Sequence, residues 1–346
     1  MAAQSKISGS WKDVSDIQCK VSGSWKTVDE GYTKISGAWK QFYSAVTPLA
    51  AVAGYIAGGL ESSVVSTVDK FAFPSDSRST LATGLSAATS FPAGFENPSV
   101  AGYVAGGEIS GSDTNKVDKF AFPSDARTTL GTGLSLARAL SNSFSDFSVA
   151  GYVAGGIGSS IVNTIDKFSY PSDARNVLGT GLSNSVQALV GFEDSGVAGY
   201  AAGGLTSGSA GSNISTVDKF AFPSDSRSTL ATGQSVASFT QAGFANIGVA
   251  GYVALARSGN TRLDTVDKFA FPSDARSTLG TGLSSARRAV AGFSSSFVAG
   301  YVAGGELSNG SEVSTVDKFA FPSDSRSTLG TGLSGSRFFT AGFQDA

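Results

Sequence analysis

The stretch Val298-Ala-Gly-Tyr-Val-Ala-Gly-Gly305, followed by Thr315-Val-Asp-Lys-Phe-Ala-Phe-Pro322, decides the fold because versions of it recur along the chain. The tyrosine of the first motif falls at Tyr55, Tyr103, Tyr152, Tyr200, Tyr252 and Tyr301, at spacings of 48 to 52 residues. Asp-Lys-Phe and Pro-Ser-Asp-Xaa-Arg follow it in every copy. Six repeats in register, with a period of this length, indicate a repeat architecture such as a solenoid or a propeller.

Each repeat is expected to form four short β-strands. With Gly, Pro, Ser and Asn as strand boundaries, the strands of the last repeat are predicted at 291–293, 298–303, 315–321 and 328–333. Glycine and β-branched residues within every apolar run disfavour helix. Four strands in about 50 residues match one blade of a β-propeller.

The repeat resembles that of the kelch-type β-propellers. The resemblance covers residues 50–346 and rests on the diglycine that ends the second strand, as in Gly106-Gly107, on an aromatic residue in the third strand, and on a Ser-Xaa-Ala-Arg-like turn. Two features depart from the family. Leucines such as Leu81 stand where the family has tryptophan, and Leu255-Ala256 replaces the fifth diglycine. The resemblance implies an all-β, kelch-like propeller.

The chain termini predict how the ring closes. Each of the last five tyrosines has a phenylalanine eight residues before it, as in Phe95 and Tyr103, whereas Tyr55 has none. Ala341-Gly-Phe343 is a first strand with no second strand after it. Pairing it with the Tyr55 strand completes blade one and removes an exposed sheet edge. We therefore predict a six-bladed propeller over residues 52–346, closed by a C-terminal strand and preceded by a linker at 46–51.

Residues 1–45 form a different, shorter repeat. Lys-Ile/Val-Ser-Gly-Ser/Ala-Trp-Lys recurs with a period of 14 residues and places the tryptophans at Trp11, Trp25 and Trp39. The Ser-Gly step predicts a β-hairpin turn. Three such units cannot bury much core alone, so we expect this module to bind another protein or its own copies in a homo-oligomer.

The N-terminal repeats resemble Trp-Lys repeats at the ends of bacteriophage tail and fibre proteins. This resemblance implies a location in the virion, in the tail or a fibre, and attachment to other tail or baseplate proteins through Trp11, Trp25 and Trp39.

Composition excludes several classes of function. The chain has no histidine, so it has no Ser/His or Cys/His nucleophile and no ordinary zinc site. Charges of both signs are dispersed, with a net charge of −2, which argues against a nucleic-acid partner. The uncharged stretch 41–60 contains Pro48 and Gly54 and is interpreted as a linker running into a strand rather than a membrane span. No metal, cofactor or catalytic residue is predicted.

The repeated charges have a structural and a functional interpretation. The six Asp-Lys pairs and the six Pro-Ser-Asp-Xaa-Arg turns could form equivalent ligand sites or a charged ring around a channel. The structural interpretation, which we favour, pairs them within or between blades, with the turn aspartate capping local amides. Seven glutamates occupy loops or turns at different blade positions, and no pair is marked for glycoside cleavage.

Two segments vary from blade to blade, one after the second strand and one between the fourth strand and the next first strand. In an antiparallel blade both connections emerge on the same side of the disc. Diversified loops on a repeated scaffold are typical of a binding surface. The candidate ligand-binding residues on this side are Arg257, Asn260, Arg262, Arg287, Arg288, Arg337, Phe91, Phe239, Phe338 and Phe339. Exposure is expected for Arg257 and Arg262, while for Phe338 and Phe339 burial between blades is an equal alternative.

The sequence is therefore interpreted as a non-enzymatic phage virion protein whose propeller binds a host-surface glycan or envelope protein. Two alternatives remain open: a structural connector or decoration protein of the virion without host binding, and a polysaccharide depolymerase.

Overall fold

The computed structural model describes residues 52–345 in full and, within residues 4–44, the backbone of six strands. The chain divides into two compact units, Met1–Leu49 and Ala50–Ala346. The first unit contains three antiparallel hairpins, which confirms the hairpin prediction for the 14-residue repeat. Their strands are Gln4–Ile7 with Ser10–Asp13, Gln18–Val21 with Ser24–Thr27, and Glu30–Ile35 with Ala38–Ser44. The side chains of Trp11, Trp25 and Trp39 and the predicted linker lie outside the described residues.

The second unit contains six antiparallel four-stranded sheets, each in the order first, second, third, fourth strand. The first strands of blades one to six are Ala341–Asp345, Ala93–Asn97, Asn142–Asp146, Val190–Asp194, Ala242–Asn246 and Ala291–Ser295. The second strands are Ala53–Ala57, Ala101–Ala105, Ala150–Ala154, Ala198–Ala202, Ala250–Ala254 and Ala299–Ala303. The third strands are Val68–Ala72, Val117–Ala121, Ile165–Ser169, Val217–Ala221, Val266–Ala270 and Val316–Ala320. The fourth strands are Ser77–Thr80, Ala126–Thr129, Ala174–Val177, Ser226–Thr229, Ala275–Thr278 and Ser325–Thr328.

Shorter elements lie in the connections between the main strands of the blades. Two-residue strands lie at Glu108–Ile109, Ser112–Asp113, Arg257–Ser258, Thr261–Arg262, Arg287–Arg288 and Glu306–Leu307, and a single 3₁₀ turn spans Ala210–Ser212. No helix in residues 52–345 has the length and apolarity to cross a membrane.

The predicted fourth strand is wrong in position. It was placed at 328–333, but it begins directly after the Pro-Ser-Asp turn and ends at Thr328. The strand contains Arg326 and pairs with the third strand, Asp317 opposite Thr328. The Leu-Gly-Thr-Gly segment that follows is a series of bends. The glycines of this segment are therefore not part of the fourth strand. They follow it and mark the end of the blade.

Closure by the C-terminal strand is confirmed. Ala341–Asp345 pairs with Ala53–Ala57, and Phe343 lies opposite Tyr55. The two rings stack with centroids 4.9 Å apart. The last strand of the chain thus occupies the innermost position of the first blade.

The repeated Ala-Gly-Tyr and Ala-Gly-Phe motifs are explained by packing between blades. The phenylalanine of each first strand stacks on the tyrosine of its own blade, as in Phe144 and Tyr152 at 4.9 Å. The same ring packs over the second-strand glycine of the next blade, where a Cβ on Gly199 would lie 2.0 Å from the ring of Phe144. Only glycine leaves room for this ring.

The repeated charges join neighbouring blades, which supports the structural interpretation. In each blade, the second-strand tyrosine and the third-strand lysine both donate to the turn aspartate of the next blade. Tyr152 Oη lies 2.7 Å and Lys167 Nζ 2.6 Å from the carboxylate of Asp225. The six contacts form a closed circle, which ends with Tyr301 and Lys318 on Asp76. The prediction that this aspartate caps local amides is wrong, because that role falls to the preceding serine, as in Ser124 and the amide of Ala126.

The third-strand aspartates form a second series of contacts between blades. Asp317 is fully buried and accepts from Thr328 of its own blade and from the amide of Ser284 in the preceding connection. Arg287 adds an ion pair at 3.0 Å. Burial raises the pKa of Asp317, but the charge of Arg287 and these hydrogen bonds outweigh it and hold the pKa below its usual value.

Candidate functional site

The two variable connections lie on one face of the disc, as predicted. In every blade, the segment entering the first strand pairs with the segment leaving the second strand. The residue pairs are Leu60 with Phe338, Ser90 with Glu108, Ala139 with Ile157, Gln187 with Leu205, Phe239 with Arg257, and Arg287 with Leu307. We call this side the variable face.

A ring of backbone hydrogen bonds surrounds the channel mouth on the variable face. One residue per blade, two positions before the first strand, has a positive φ of 53° to 59°. Each donates its N–H to the carbonyl of the equivalent residue in the preceding blade, at 2.7 to 3.2 Å. The ring residues are Phe91, Leu140, Ala188, Thr240, Ala289 and Phe339. They line a shallow depression, whose wall is this ring of hydrogen-bonded backbone.

The aromatic side of this depression is formed by blades one and two. Phe91 and Phe339 are partly exposed, with ring centroids 4.2 Å apart. Phe338 is only 7% exposed and packs against Phe339 at 4.8 Å. Of the two interpretations for these phenylalanines, burial therefore holds for Phe338, while Phe91 and Phe339 remain available to a ligand.

Arg257 begins the short hairpin of blade five, in which Arg257–Ser258 pairs with Thr261–Arg262. Its guanidinium stacks 5.2 Å from the ring centroid of Phe239, which is 4% exposed, so Phe239 supports the arginine and has little surface of its own for a ligand. Arg257 also donates to Gly259 O at 2.9 Å and to Asn260 Oδ1 at 2.8 Å. Within residues 52–345, no carboxylate pairs with it at 4.0 Å or less. Burial, followed by the charges of Arg288 and Arg262, lowers the pKa of Arg257.

Arg262 and Arg288 converge on Glu306. Arg262 Nη2 lies 2.5 Å and Arg288 Nη2 2.6 Å from the two carboxylate oxygens. Burial raises the pKa of Glu306, but hydrogen bonds from Arg288 and Arg262 hold it below its usual value. The Arg262 side chain is only 12% exposed, contrary to its predicted exposure, because the ion pair encloses it. Arg288 is more open and lies 5.7 Å from the ring centroid of Phe339.

These residues form one continuous site. Arg257, Arg262 and Arg288 outnumber the carboxylates of Glu306 and Glu312, which lie opposite each other in a β-bridge, by one charge. Arg288 links this charge to the aromatic side of the depression. We call this set, together with Asn260, Phe91 and Phe339, the arginine–aromatic site. Guanidinium groups beside exposed aromatic rings can bind an oxyanion and stack against an apolar ring face.

Arg287 and Arg337 do not belong to this site, which corrects their prediction as ligand-binding residues. Both are completely buried. Arg337 Nη2 lies 2.9 Å from Asp69 and donates to Ile56 O, and Arg287 donates to Gly304 O. Each joins a connection to the third strand of the following blade, so each stabilises the propeller and has no surface for an external ligand.

Glu96 and Glu193 share a blade position, which the sequence interpretation missed. Both are the fourth residue of a first strand, with Ser145 between them in the intervening blade. Their side chains point into the channel and are 5% and 8% exposed. The signal was available, because each glutamate directly follows the repeated phenylalanine.

The channel is filled at this level by polar side chains. Gln344 Nε2 donates to Glu96 at 3.1 Å, and its Oε1 accepts from the amide of Ser294. Burial and the charge of Glu193 raise the pKa of Glu96. Burial also raises the pKa of Glu193 to about 7, although a hydrogen bond from the backbone of Ser145 offsets part of this increase. No group of three or more acidic, histidine or cysteine side chains in residues 52–345 is arranged to hold a metal ion.

Comparisons with known proteins bear on the fold. No family model matches the chain, and no curated protein matches it. A solved structure described as "Structure of YjhT" is similar, with a TM-score of 0.61 at 15% sequence identity, over 74% of this chain and 87% of that chain. At this identity the similarity concerns the fold alone. The chain is an all-β protein whose larger unit is a six-bladed β-propeller closed by its C-terminal strand.

Proposed function

We propose that the chain is a non-enzymatic binding protein of a bacteriophage virion, associated with the tail fibre or baseplate. Its variable face recognises an anionic host-surface glycan or envelope protein during adsorption. The arginine–aromatic site carries the binding part of the proposal. The repeated Lys and Asp charges are matched between blades, whereas this site holds more cations than anions. The virion location rests on the resemblance of the N-terminal repeats to phage Trp-Lys repeats.

The geometry favours an acidic saccharide among anionic ligands. Phe91 and Phe339 are partly exposed and line the depression at the channel mouth. A pyranose stacks its apolar C–H face on such rings, while Arg288 and Arg257 bind a carboxylate or sulfate on the same sugar. A neutral glycan would leave the guanidinium groups without a partner.

Binding of acidic and neutral bacterial polysaccharides to the full chain tests this proposal. We expect binding to the acidic polymers that weakens as salt is added. Arg257→Ala with Arg288→Ala should reduce the affinity at least tenfold, because two charge-assisted contacts are lost, each contributing about 1.5–3 kcal/mol. Lys116→Ala, which removes an exposed positive charge from blade two, is the matched control. Equal affinities of the double variant and this control would refute the assignment of the site.

A structural connector or decoration protein is the second candidate function. The face opposite the variable face favours it, because its turns carry the same exposed apolar residue in every blade. A connector should bind assembled virion components and leave host cells and their polysaccharides unbound. Adsorption of the purified chain to host cells separates the two functions.

A polysaccharide depolymerase is the third class considered. Two carboxylates suffice for glycoside cleavage, and Glu96 and Glu193 are a pair. Their burial in a hydrogen-bonded layer leaves little room for a sugar ring between them. We therefore expect host polymer incubated with the chain to keep its length, as measured by size-exclusion chromatography.

A further inference from the structure

The face opposite the variable face carries a ring of exposed valines. One valine per blade directly precedes the second strand, and all six are 45% to 55% exposed. They are Val52, Val100, Val149, Val197, Val249 and Val298. Phe297, beside the last of them, is 44% exposed. We call this side the valine face.

The ring has a fixed geometry because the backbone of each valine is held on both sides. The amide of Val100 donates to Asn97 O at 3.0 Å, and its carbonyl accepts from the amide of Phe122 at 2.8 Å. The same two contacts recur at Val149 and Val249. At Val52 the donor contact is made to Asp345, the last residue of the closing strand, at 2.7 Å. The apolar side chains are therefore presented at six equivalent positions around the axis.

The surroundings of the ring are polar but electrically matched. The third-to-fourth turns lie on this side, and their exposed serines, such as Ser124 and Ser172, surround the valines. Each turn aspartate is bound to a lysine at 2.5 to 2.7 Å. The aspartates that end first strands, Asp146, Asp194 and Asp345, are 3% to 4% exposed and accept from backbone amides of the next blade. Two such faces can meet without bringing unpaired like charges together.

We propose that the valine face is a self-association surface, on which a second copy of this chain docks with its own valine face. An apolar centre with a polar, hydrated rim is the usual composition of a protein interface. A twofold axis perpendicular to the propeller axis places one sixfold ring on the other, so that a single contact is repeated around the interface. A small asymmetric partner would cover only one or two of the six valines.

The apolar area is of the right order for such a contact. Seven side chains that are about half exposed offer on the order of 500 Å² per copy, and the serine-rich rim extends this toward the roughly 800 Å² that each partner buries in a standard interface.

Sedimentation equilibrium of the full chain tests the proposal. A variant carrying Val100→Lys, Val197→Lys and Val298→Lys places three unpaired cations in the ring. We expect the wild-type chain to associate and this variant to show half the wild-type stoichiometry, with a dissociation constant raised at least tenfold. The substituted residues are solvent-exposed turn residues, so the melting temperature should change little.

The control is a variant with three lysines at equally exposed apolar positions outside the valine face: Leu136→Lys, Val177→Lys and Val236→Lys. It should retain the wild-type stoichiometry. A wild-type chain that stays monomeric up to about 100 μM would overturn the proposal, and would leave the ring to a different partner. An unchanged stoichiometry in the valine variant would equally overturn it and would place any association in the N-terminal unit. Polysaccharide binding is measured separately, so failure here does not bear on the arginine–aromatic site.

Discussion

Glu193 is a buried carboxylate whose environment differs from that of the buried third-strand aspartates. The buried aspartates of the third strands accept hydrogen bonds from neighbouring residues, and several also face an arginine. Glu193 is 92% buried with no ion pair to any residue in 52–345, and Glu96 lies in the same channel layer. Ionising two such carboxylates in one layer is unfavourable because burial desolvates both charges and each repels the other.

The stability of the protein should therefore fall with pH across this titration. The pKa of Glu193 rises from 4.5 to about 7 on folding, so its stabilising contribution is complete below pH 4.5 and is lost as pH rises through 7. Glu193→Gln removes the ionisation and should make the protein about 2–3 kcal/mol more stable than wild type at pH 8, with little difference at pH 4. Urea denaturation at the two pH values measures this. A constant gain from Glu193→Gln at both pH values would contradict the assignment.

At the scale of the strand, the second strands show why glycine recurs in an otherwise apolar and aromatic motif. Glycine in a strand is normally unfavourable, since it has no side chain to pack. Here the space beside the glycine is occupied by the first-strand phenylalanine of the neighbouring blade. This phenylalanine also stacks on the tyrosine of the blade to which it belongs and on a third-strand phenylalanine, as Phe144 does with Tyr152 and Phe220. One ring thus joins three strands of two blades.

A methyl group at this position should separate the blades. In Gly199→Ala, the new Cβ would lie 2.0 Å from the ring of Phe144, and rigid neighbours on both sides prevent the ring from moving away. We expect a loss of about 3 kcal/mol from overpacking, measured by thermal or urea denaturation. Gly131→Ala is the matched control, because no atom lies within 4 Å of its Cβ and other blades already have Ala82 and Ala231 there. Equal stability of the two variants would refute this account of the motif.

At the scale of the whole molecule, the ring is closed by several contacts between the first and last blades. The closing strand pairs with Ala53–Ala57, Tyr301 and Lys318 bind Asp76, and Phe339 links the mouth ring to Phe91. Each contact repeats one that the other blades make. The junction between the last and first blades therefore has the same hydrogen bonds and ion pairs as the junctions between other neighbouring blades.

Removal of the closing strand should cost more than its five residues suggest. A chain ending at Thr340 leaves the edge of Ala53–Ala57 unpaired and removes Phe343 from Tyr55 and Gly102. We expect loss of the cooperative unfolding transition, or a melting temperature lower by more than 10 °C, since several kcal/mol are lost and about 1 kcal/mol corresponds to 2–4 °C at this size. Differential scanning calorimetry measures the effect, with deletion of Ala346 alone as the control. A truncated chain that melts like the control would mean that the ring does not depend on this strand.

The contacts that can be predicted from the sequence are those of residues whose partner lies at a fixed spacing along the chain. The unmatched Phe343 and Tyr55 predict the closure and the blade number, because every other pair is eight residues apart. Arg337 was misassigned because its partner, Asp69, lies 268 residues away, and an arginine in a variable segment has the pattern of a surface residue. Arg262 was misassigned for the same reason, since Glu306 belongs to the next blade. Contacts between blades decide which charged side chains are left without a partner. The residue spacing within one repeat gives no information about those contacts.

The position of the closing strand also orders events during synthesis. Because Ala341–Asp345 supplies the innermost strand of blade one, that blade remains incomplete while the other five emerge from the ribosome. One edge of the Tyr55 strand pairs with Val68–Ala72, but its other edge stays unpaired until Ala341–Asp345 has been synthesised, at about 5–20 residues per second. A chain whose synthesis stops before this strand therefore cannot form a closed ring.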